Sequence, residues 1–288
     1  VIDNSTLPKG CFNCVNGVGS EIGPIISTHP DIKMISFTGS TIAGIDIQEK
    51  AAKTVKRVSL ELGGKSAHIV CEGVDLNAVI PNAINQCFIN SGQSCSAPTR
   101  LLIPEVSINN IKNIIVDHIK TLIFNDPNDV NTTHGPVVNQ KQYNTIQEFI
   151  KSGIDEGYEI VTGGLGNPDN CNSGYFIRPT VFINVDNSAT IAQEEIFGPV
   201  LSIISYSSID NAIDIANNSK YGLSNYITCL DYDDGYNIAK RIHSGQSIIN
   251  KIGRGSVPAP FGGFKLSGNG REHGKNGLEE YLEIKAII

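Results

Sequence analysis

Cys95 lies in Ser91-Gly92-Gln93-Ser94-Cys95-Ser96-Ala97, a run of mostly small residues that leaves room for a substrate and for backbone N–H groups to face it. A free thiol titrates near pH 8.5, so at neutral pH it needs an adjacent base or a lowered pKa to act as a nucleophile. Glu61, in Val58-Ser59-Leu60-Glu61-Leu62-Gly63-Gly64, is the candidate base. The two are 95 − 61 = 34 residues apart, so only the tertiary fold can bring them together. Each has a simpler explanation: a small buried cysteine, and a strand glutamate on a solvated face opposite Val58, Leu60 and Leu62.

A second constellation follows Lys33 to Phe37, which reads as a strand. Gly39-Ser40-Thr41-Ile42-Ala43-Gly44 then forms a turn into a helix running through the fifties. Glycine permits a tight turn, and the free N–H groups of a helix start favour an anion such as a pyrophosphate. The spacing departs from G-x-G-x-x-G, and on its own a plain strand-to-helix turn is the simpler explanation. Glu61 stands at a strand end just before Gly63-Gly64, the usual place for a site in an open α/β fold.

These residues need elements to hold them. Apolar, β-rich stretches at Lys33 to Phe37, Ala67 to Cys71, Pro199 to Tyr206 and Leu223 to Leu230 read as strands. They alternate with helix-patterned stretches at Leu76 to Phe88, Val106 to Phe124, Gln140 to Gly153, Ile209 to Asn217 and Gly235 to Ile242. Alternation of this kind, punctuated by Gly, Pro and Asn, predicts an α/β fold with largely parallel sheets.

The 288 residues suffice for about two domains. A formal charge of −7 without a local Lys/Arg cluster argues against nucleic acid as a partner. No apolar run approaches the roughly 18 residues that span a bilayer, and the start has no signal-peptide pattern, so a cytoplasmic protein off the membrane is expected. Seven cysteines at irregular positions read as reduced thiols. Cys11-Phe12-Asn13-Cys14 has a metal-pair gap but no second pair, so no metal site is expected. Cys71 and Cys229 read as core residues.

The Leu60-Glu61-Leu62-Gly63-Gly64 and Gly92-Gln93-Ser94-Cys95 segments resemble the signatures of the aldehyde dehydrogenase superfamily. So do Phe37-Thr38-Gly39-Ser40-Thr41, Glu194-Glu195-Ile196-Phe197-Gly198-Pro199-Val200 and Pro260-Phe261-Gly262-Gly263-Phe264-Lys265-Leu266-Ser267-Gly268, in the family's order. The resemblance implies that Cys95 attacks an aldehyde, that the hemithioacetal passes hydride to NAD or NADP, and that water activated by Glu61 cleaves the thioester to a carboxylic acid. It implies that Gly39, Ser40 and Gly44 form the pyrophosphate-side loop. Glu195, with Phe197 alongside, would hold the nicotinamide ribose, with Gln142 in the same region and Phe261 as an aromatic wall near the nucleophile.

The implied fold is aldehyde dehydrogenase-like: a partial Rossmann-type cofactor domain at 1–64, an α/β catalytic domain at 65–267, and a C-terminal helix and interface strand at 268–288. Residues Tyr281 to Ile288 alternate charged and apolar and would pair subunits into a homo-oligomer. Leu7-Pro8-Lys9-Gly10 resembles a point well inside the family's first domain, so the family's oxyanion asparagine and adenosine-ribose lysine would precede Val1. Two alternatives stay open: a catalytically incompetent fragment or assembly module, and an enzyme that passes its acyl group to coenzyme A. Retention of Glu61 favours hydrolysis. Neither the choice of aldehyde nor NAD versus NADP is legible, and Lys251 to Pro258 identifies no substrate.

Overall fold

The computed structural model describes residues 2–171, 173–251 and 256–288. The chain begins with α1 (Gly19–Thr28), β1 (Met34–Thr38), α2 (Thr41–Ala52) and β2 (Arg57–Glu61). β3 (Ala67–Val70), α3 (Leu76–Phe88), β4 (Arg100–Pro104), α4 (Lys112–Ile119), α5 (Gln140–Asp155), β5 (Glu159–Thr162) and β6 (Thr180–Ile183) follow. The rest comprises α6 (Thr190–Gln193), β7 (Val200–Tyr206), α7 (Ile209–Asn217), β8 (Tyr221–Gly222), β9 (Ser224–Thr228), α8 (Tyr232–Ala239), β10 (Gln246–Ile249), β11 (Phe264–Lys265) and α9 (Gly274–Glu279).

β1 and β2 pair in parallel, with Thr38 opposite Glu61. The main sheet has the order β10-β9-β3-β4-β7-β6-β5, parallel throughout except for β5, which is antiparallel to β6 at one edge. Its central strands β3, β4 and β7 are buried on both faces, which is why β3 and β7 read as largely apolar stretches. Leu101 and Ile103 of β4 pack with α3 and α4 through Ile80, Ile84, Phe88 and Ile115. Leu102 points the other way, to Ala212, Ile213 and Ile238 of α7 and α8. α5 closes a third cluster by setting Ile146 and Ile150 against Phe182 and Val200.

Helix starts follow the capping residues. Ser40, Asp75, Asn139, Ser208 and Asp231 each accept a backbone N–H of the first turn. Asp231 moves the start of α8 to Tyr232, ahead of the Gly235 expected from periodicity. The single helix expected over Val106 to Phe124 is instead a 3₁₀ segment, Glu105–Asn110, followed by α4. Ser107, Asn109 and Asn110 favour local side-chain to backbone bonds over helix continuation.

Beyond α9, residues 282–288 form no strand, and Ile284, Ile287 and Ile288 are fully or almost fully exposed. The expected strand over Tyr281 to Ile288 is therefore absent within the chain: no internal edge satisfies its backbone, and Arg57 Nη1 donates to Leu282 O at 3.0 Å. Cys229 lies in the core, but Cys71 is only half-buried, a correction to the reading of both as core residues. No described helix is long and apolar enough to cross a membrane.

Arg100, the first residue of β4, is fully buried. Its Nε donates to Lys65 O at 3.0 Å, Nη1 to Asn187 Oδ1 and Ile215 O, and Nη2 to Ala216 O, each of these three at 2.9 Å. Burial pulls its pKa down to about 10, so it remains a cation near neutral pH at the carboxyl end of the α7 dipole. Arg100→Ala leaves these acceptors unpaired and opens a cavity, and is expected to cost about 3–5 kcal/mol. Urea denaturation checks this; a loss under about 1 kcal/mol, the size of one ordinary hydrogen bond, would mean that the carbonyls find other donors.

Candidate active site

Residues 62–66 run from the carboxyl end of β2 to the amino end of β3, and Cys95 and Glu195 come up against this linker just before the amino ends of β4 and β7. Gly64 makes the approach possible: a β-carbon there would overlap the Cys95 carbonyl oxygen, and one at Gly63 would overlap the Glu195 carboxylate. Glu195 Oε1 accepts the Gly64 N–H at 3.1 Å. Glycine is needed at both positions for close approach rather than for a turn.

The Cys95 loop is held in an unusual backbone conformation. Asn90, Ser91 and Gly92 are consecutive left-handed residues, with φ of 52°, 55° and 76°. Each non-glycine residue in that region costs on the order of 1 kcal/mol or more, and such residues cluster at functional sites. Compensating bonds surround them. Ser91 Oγ donates to Gly135 O at 2.7 Å, Gln93 Oε1 accepts the Val138 N–H at 2.9 Å, and the Tyr226 hydroxyl donates to Ser96 O at 3.1 Å. The backbone N–H groups of Cys95 and Ser96 both turn to the Cys95 sulfur and favour its anion. Burial outweighs them, and with Glu195 and Glu61 nearby it pushes the thiol above its ordinary range.

Glu61 is 4% exposed, so the solvated strand face expected for an isolated glutamate is overturned. Residues of the 262–272 loop close over it, through Gly270 N–H to Leu60 O at 3.0 Å, Leu62 N–H to Ser267 O at 2.9 Å and Leu60 N–H to Asn269 Oδ1 at 3.0 Å. A β-carbon at Gly262 would crowd Glu61 Oε1. Neither carboxylate oxygen has a hydrogen-bond partner among the described residues. Burial, reinforced by Glu272 and opposed by Arg271, raises the Glu61 pKa to about 8.

The other expected residues divide into two sets. Gly39, Ser40 and Gly44 form the turn from β1 to α2: Gly39 N–H donates to Glu61 O at 3.1 Å, Ser40 caps the helix, and Gly44 packs where a β-carbon would overlap Leu62. Gln142 supports the Glu195 segment from behind, its Nε2 donating to Ile196 O and Phe197 O at 3.0 Å each. Phe197 has φ 54°, which the Gln142 bonds help to hold. Phe261 shares the Gly262 loop, exchanges both backbone hydrogen bonds with Glu272 and sets its ring 6.2 Å from that of His273. Of Lys251 to Pro258, residues 252–255 lie outside the described residues.

Sequence reasoning missed Lys65 and Tyr226. Lys65 is 2% exposed, its ammonium has no hydrogen-bond partner among the described residues, and burial beside Arg100 lowers its pKa to about 7. Its place directly after Gly63-Gly64 was the available signal. Tyr226 reads as an ordinary strand aromatic, and only the register of β9 on β3 turns its hydroxyl to the Cys95 loop.

Residues 1–287 match the model of the aldehyde dehydrogenase family. The chain belongs to this family. A Staphylococcus haemolyticus protein named "Putative aldehyde dehydrogenase SH0913" is 46% identical over 287 residues, which are 100% of this chain and 60% of that protein. The chain thus spans about 60% of the length of the curated aldehyde dehydrogenase relatives it matches. Among solved structures, a Pseudomonas syringae aldehyde dehydrogenase C mutant in complex with NAD+ and octanal superposes with a TM-score of 0.93 at 45% identity, covering 95% of this chain and 56% of that one. A Bartonella henselae aldehyde dehydrogenase superposes with a TM-score of 0.89 at 43% identity, covering 93% and 56%.

Proposed function

We propose that the whole protein oxidises an aldehyde to a carboxylic acid, with Cys95 as nucleophile and Glu61 as the base for hydrolysis. The observation that carries this reading is the Glu61 carboxylate: buried, without a hydrogen-bond partner among the described residues, and electrostatically coupled to Cys95. An ionisable group left unpaired in this way is costly for folding, and such groups concentrate where chemistry uses them. The Cys95 sulfur adds to the aldehyde carbon, and the backbone N–H groups of Cys95 and Ser96 stand ready to stabilise the oxyanion. Glu61 takes a proton from water, which then attacks the Cys95 thioester.

The residues present suit the phosphate and nicotinamide side of a dinucleotide. α2 offers a capped twelve-residue helix start with glycine before it, and Glu195 presents a carboxylate beside Gly63, where a side chain would intrude. Gly39, Ser40 and Gly44 would take the pyrophosphate, and Glu195, backed by Phe197 and Gln142, the nicotinamide ribose. When bound, NAD or NADP supplies the hydride acceptor that turns the hemithioacetal into the thioester. NAD+ in the Pseudomonas syringae complex supports this choice, and octanal there supports an aldehyde substrate.

The same reading assigns residues 1–64 to the cofactor domain and 65–267 to the catalytic domain. It gives the exposed segment from Tyr281 to Ile288 to subunit pairing in a cytoplasmic homo-oligomer, with Phe261 as an aromatic wall of the substrate pocket. Absorbance of reduced nicotinamide tests the activity. The purified whole protein, mixed with NAD or NADP and a panel of aliphatic aldehydes, is expected to show aldehyde-dependent reduction with carboxylic acid as product. Absence of reduction across the panel, or appearance of acid only when coenzyme A is added, would overturn it.

A further inference from the structure

The active-site residues use the amino ends of β3, β4 and β7. At the opposite, carboxyl ends of β3, β7 and β9 lies a separate half-open cavity of about 570 Å³, lined in part by Cys71, Glu72, Tyr206, Cys229, Asp234 and Arg241. Nothing in the proposed chemistry uses it. Two of its walls are thiols on neighbouring strands. β3 and β9 pair with Val70 opposite Thr228, and the Cys71 N–H continues the ladder to Thr228 O at 2.8 Å, which sets Cys71 opposite Cys229.

Residues in register on parallel neighbours point to the same side of the sheet. Such strands lie about 4.7–4.9 Å apart, inside the roughly 4.4–6.8 Å window of Cα separations that a disulfide spans. The Cys229 thiol donates to Asp231 O at 3.0 Å, and Cys71, close enough to shift its titration, is the more exposed of the two. Room around the Cys229 sulfur depends on Gly235, where a β-carbon would crowd it.

We propose that Cys71 and Cys229 are a redox-active thiol pair, separate from Cys95, that closes to an intramolecular disulfide when a small-molecule disulfide enters this cavity. Cys71, the accessible partner, attacks one sulfur of the incoming disulfide as thiolate. The other sulfur leaves as a thiolate and is protonated. The Cys229 thiolate then attacks the Cys71 sulfur, forming the protein disulfide and expelling the second small thiol. Two protein thiols are thereby oxidised and one small disulfide is reduced to two thiols.

The surroundings set the rate. Burial is the main cause that holds both thiols above their ordinary range, with Cys71 pushed up to about 12. Facing charges add to this: Asp234 raises both, Asp231 raises Cys229, and Glu72 also lines the cavity. Tyr206 is committed to Val70 O at 2.8 Å, and the lining cation Arg241 is paired with Asp210 at 2.7 Å. Both thiols are therefore protonated near neutrality, and exchange accelerates about tenfold per pH unit as the thiolate fraction grows.

The test uses the protein with Cys11, Cys14 and Cys95 replaced by serine, incubated with oxidised glutathione at about pH 9, then alkylated, digested and analysed by mass spectrometry. The expected product is a Cys71–Cys229 cross-linked peptide lacking two hydrogens, formed about a hundredfold more slowly at about pH 7. Adding Cys229→Ser is expected to trap the Cys71–glutathione mixed disulfide, and reductant should restore both free thiols in the parent. Recovery of Cys71 and Cys229 as alkylated thiols after the pH 9 incubation, or a reaction that stops at the mixed disulfide in the parent, would overturn the proposal.

Discussion

Cys95→Ala is expected to lower aldehyde turnover by on the order of 10⁴-fold or more, because the covalent route disappears and no other side chain replaces it. The remaining cysteines are poor substitutes. Cys87, Cys171 and Cys229 are buried in the core, Cys71 lines a cavity at the opposite sheet end, and Cys11 and Cys14 lie exposed near the start of the chain. Acid quench of the wild type during turnover should yield an acyl adduct on the peptide containing Cys95, and the variant should yield none. Because burial outweighs the two backbone N–H groups in setting the Cys95 pKa, its alkylation by iodoacetamide should rise with pH beyond the ordinary thiol range. An acyl adduct that persists in Cys95→Ala would place the nucleophile elsewhere.

The sequence was most legible where burial is symmetrical and local signals agree. Leu76 to Phe88 and Ile209 to Asn217 combine helical periodicity with an Asp75 or Ser208 cap, and both helices occur with those bounds. β3, β7 and β9, buried on both faces, and β1, which is not, all lie within two residues of expectation. β4 was missed because it opens with Arg100, a residue type that composition assigns to the surface; only the carbonyls at the end of α7 explain its burial. The short β5, β6 and β10 carry too few residues to stand out from loops.

The residues of the candidate site were singled out one by one through their family motifs, whereas their arrangement was not legible. Glu61, Cys95 and Glu195 meet because three strand connections converge on one linker, and no spacing rule along the chain encodes that convergence. Gln142 shows the difference. Its membership in the site region was carried over from the family, but its contact with the Ile196 and Phe197 carbonyls depends on how α5 packs against β6 and β7. The C-terminal segment shows the converse: alternation of apolar residues marks a strand's sequence, yet a strand forms only where another edge accepts its hydrogen bonds.

Glu61→Gln is expected to separate the two halves of the reaction. The substitution keeps the shape of the side chain in its enclosure under Gly262 but removes the proton acceptor, so acylation of Cys95 continues while hydrolysis slows by about 10²–10⁴-fold. Rapid mixing should then show a burst of reduced nicotinamide close to one per site, followed by a weak steady state. The pH dependence follows from the raised pKa: the wild-type steady state should climb as Glu61 loses its proton near pH 8 and level off above it, and the variant should lack that limb. Stability supplies an independent readout. With a folded pKa of about 8 against an ordinary carboxylate value of 4.5, the folded state keeps a proton that the unfolded state loses, so stability falls as pH rises through that window. The total is on the order of 4–5 kcal/mol at most, and Gln, which never ionises, should erase that slope and make the variant the more stable protein above pH 8. Loss of the burst together with the steady state would show that Glu61 serves mainly to activate the thiol, and an unchanged pH profile would remove it from the mechanism.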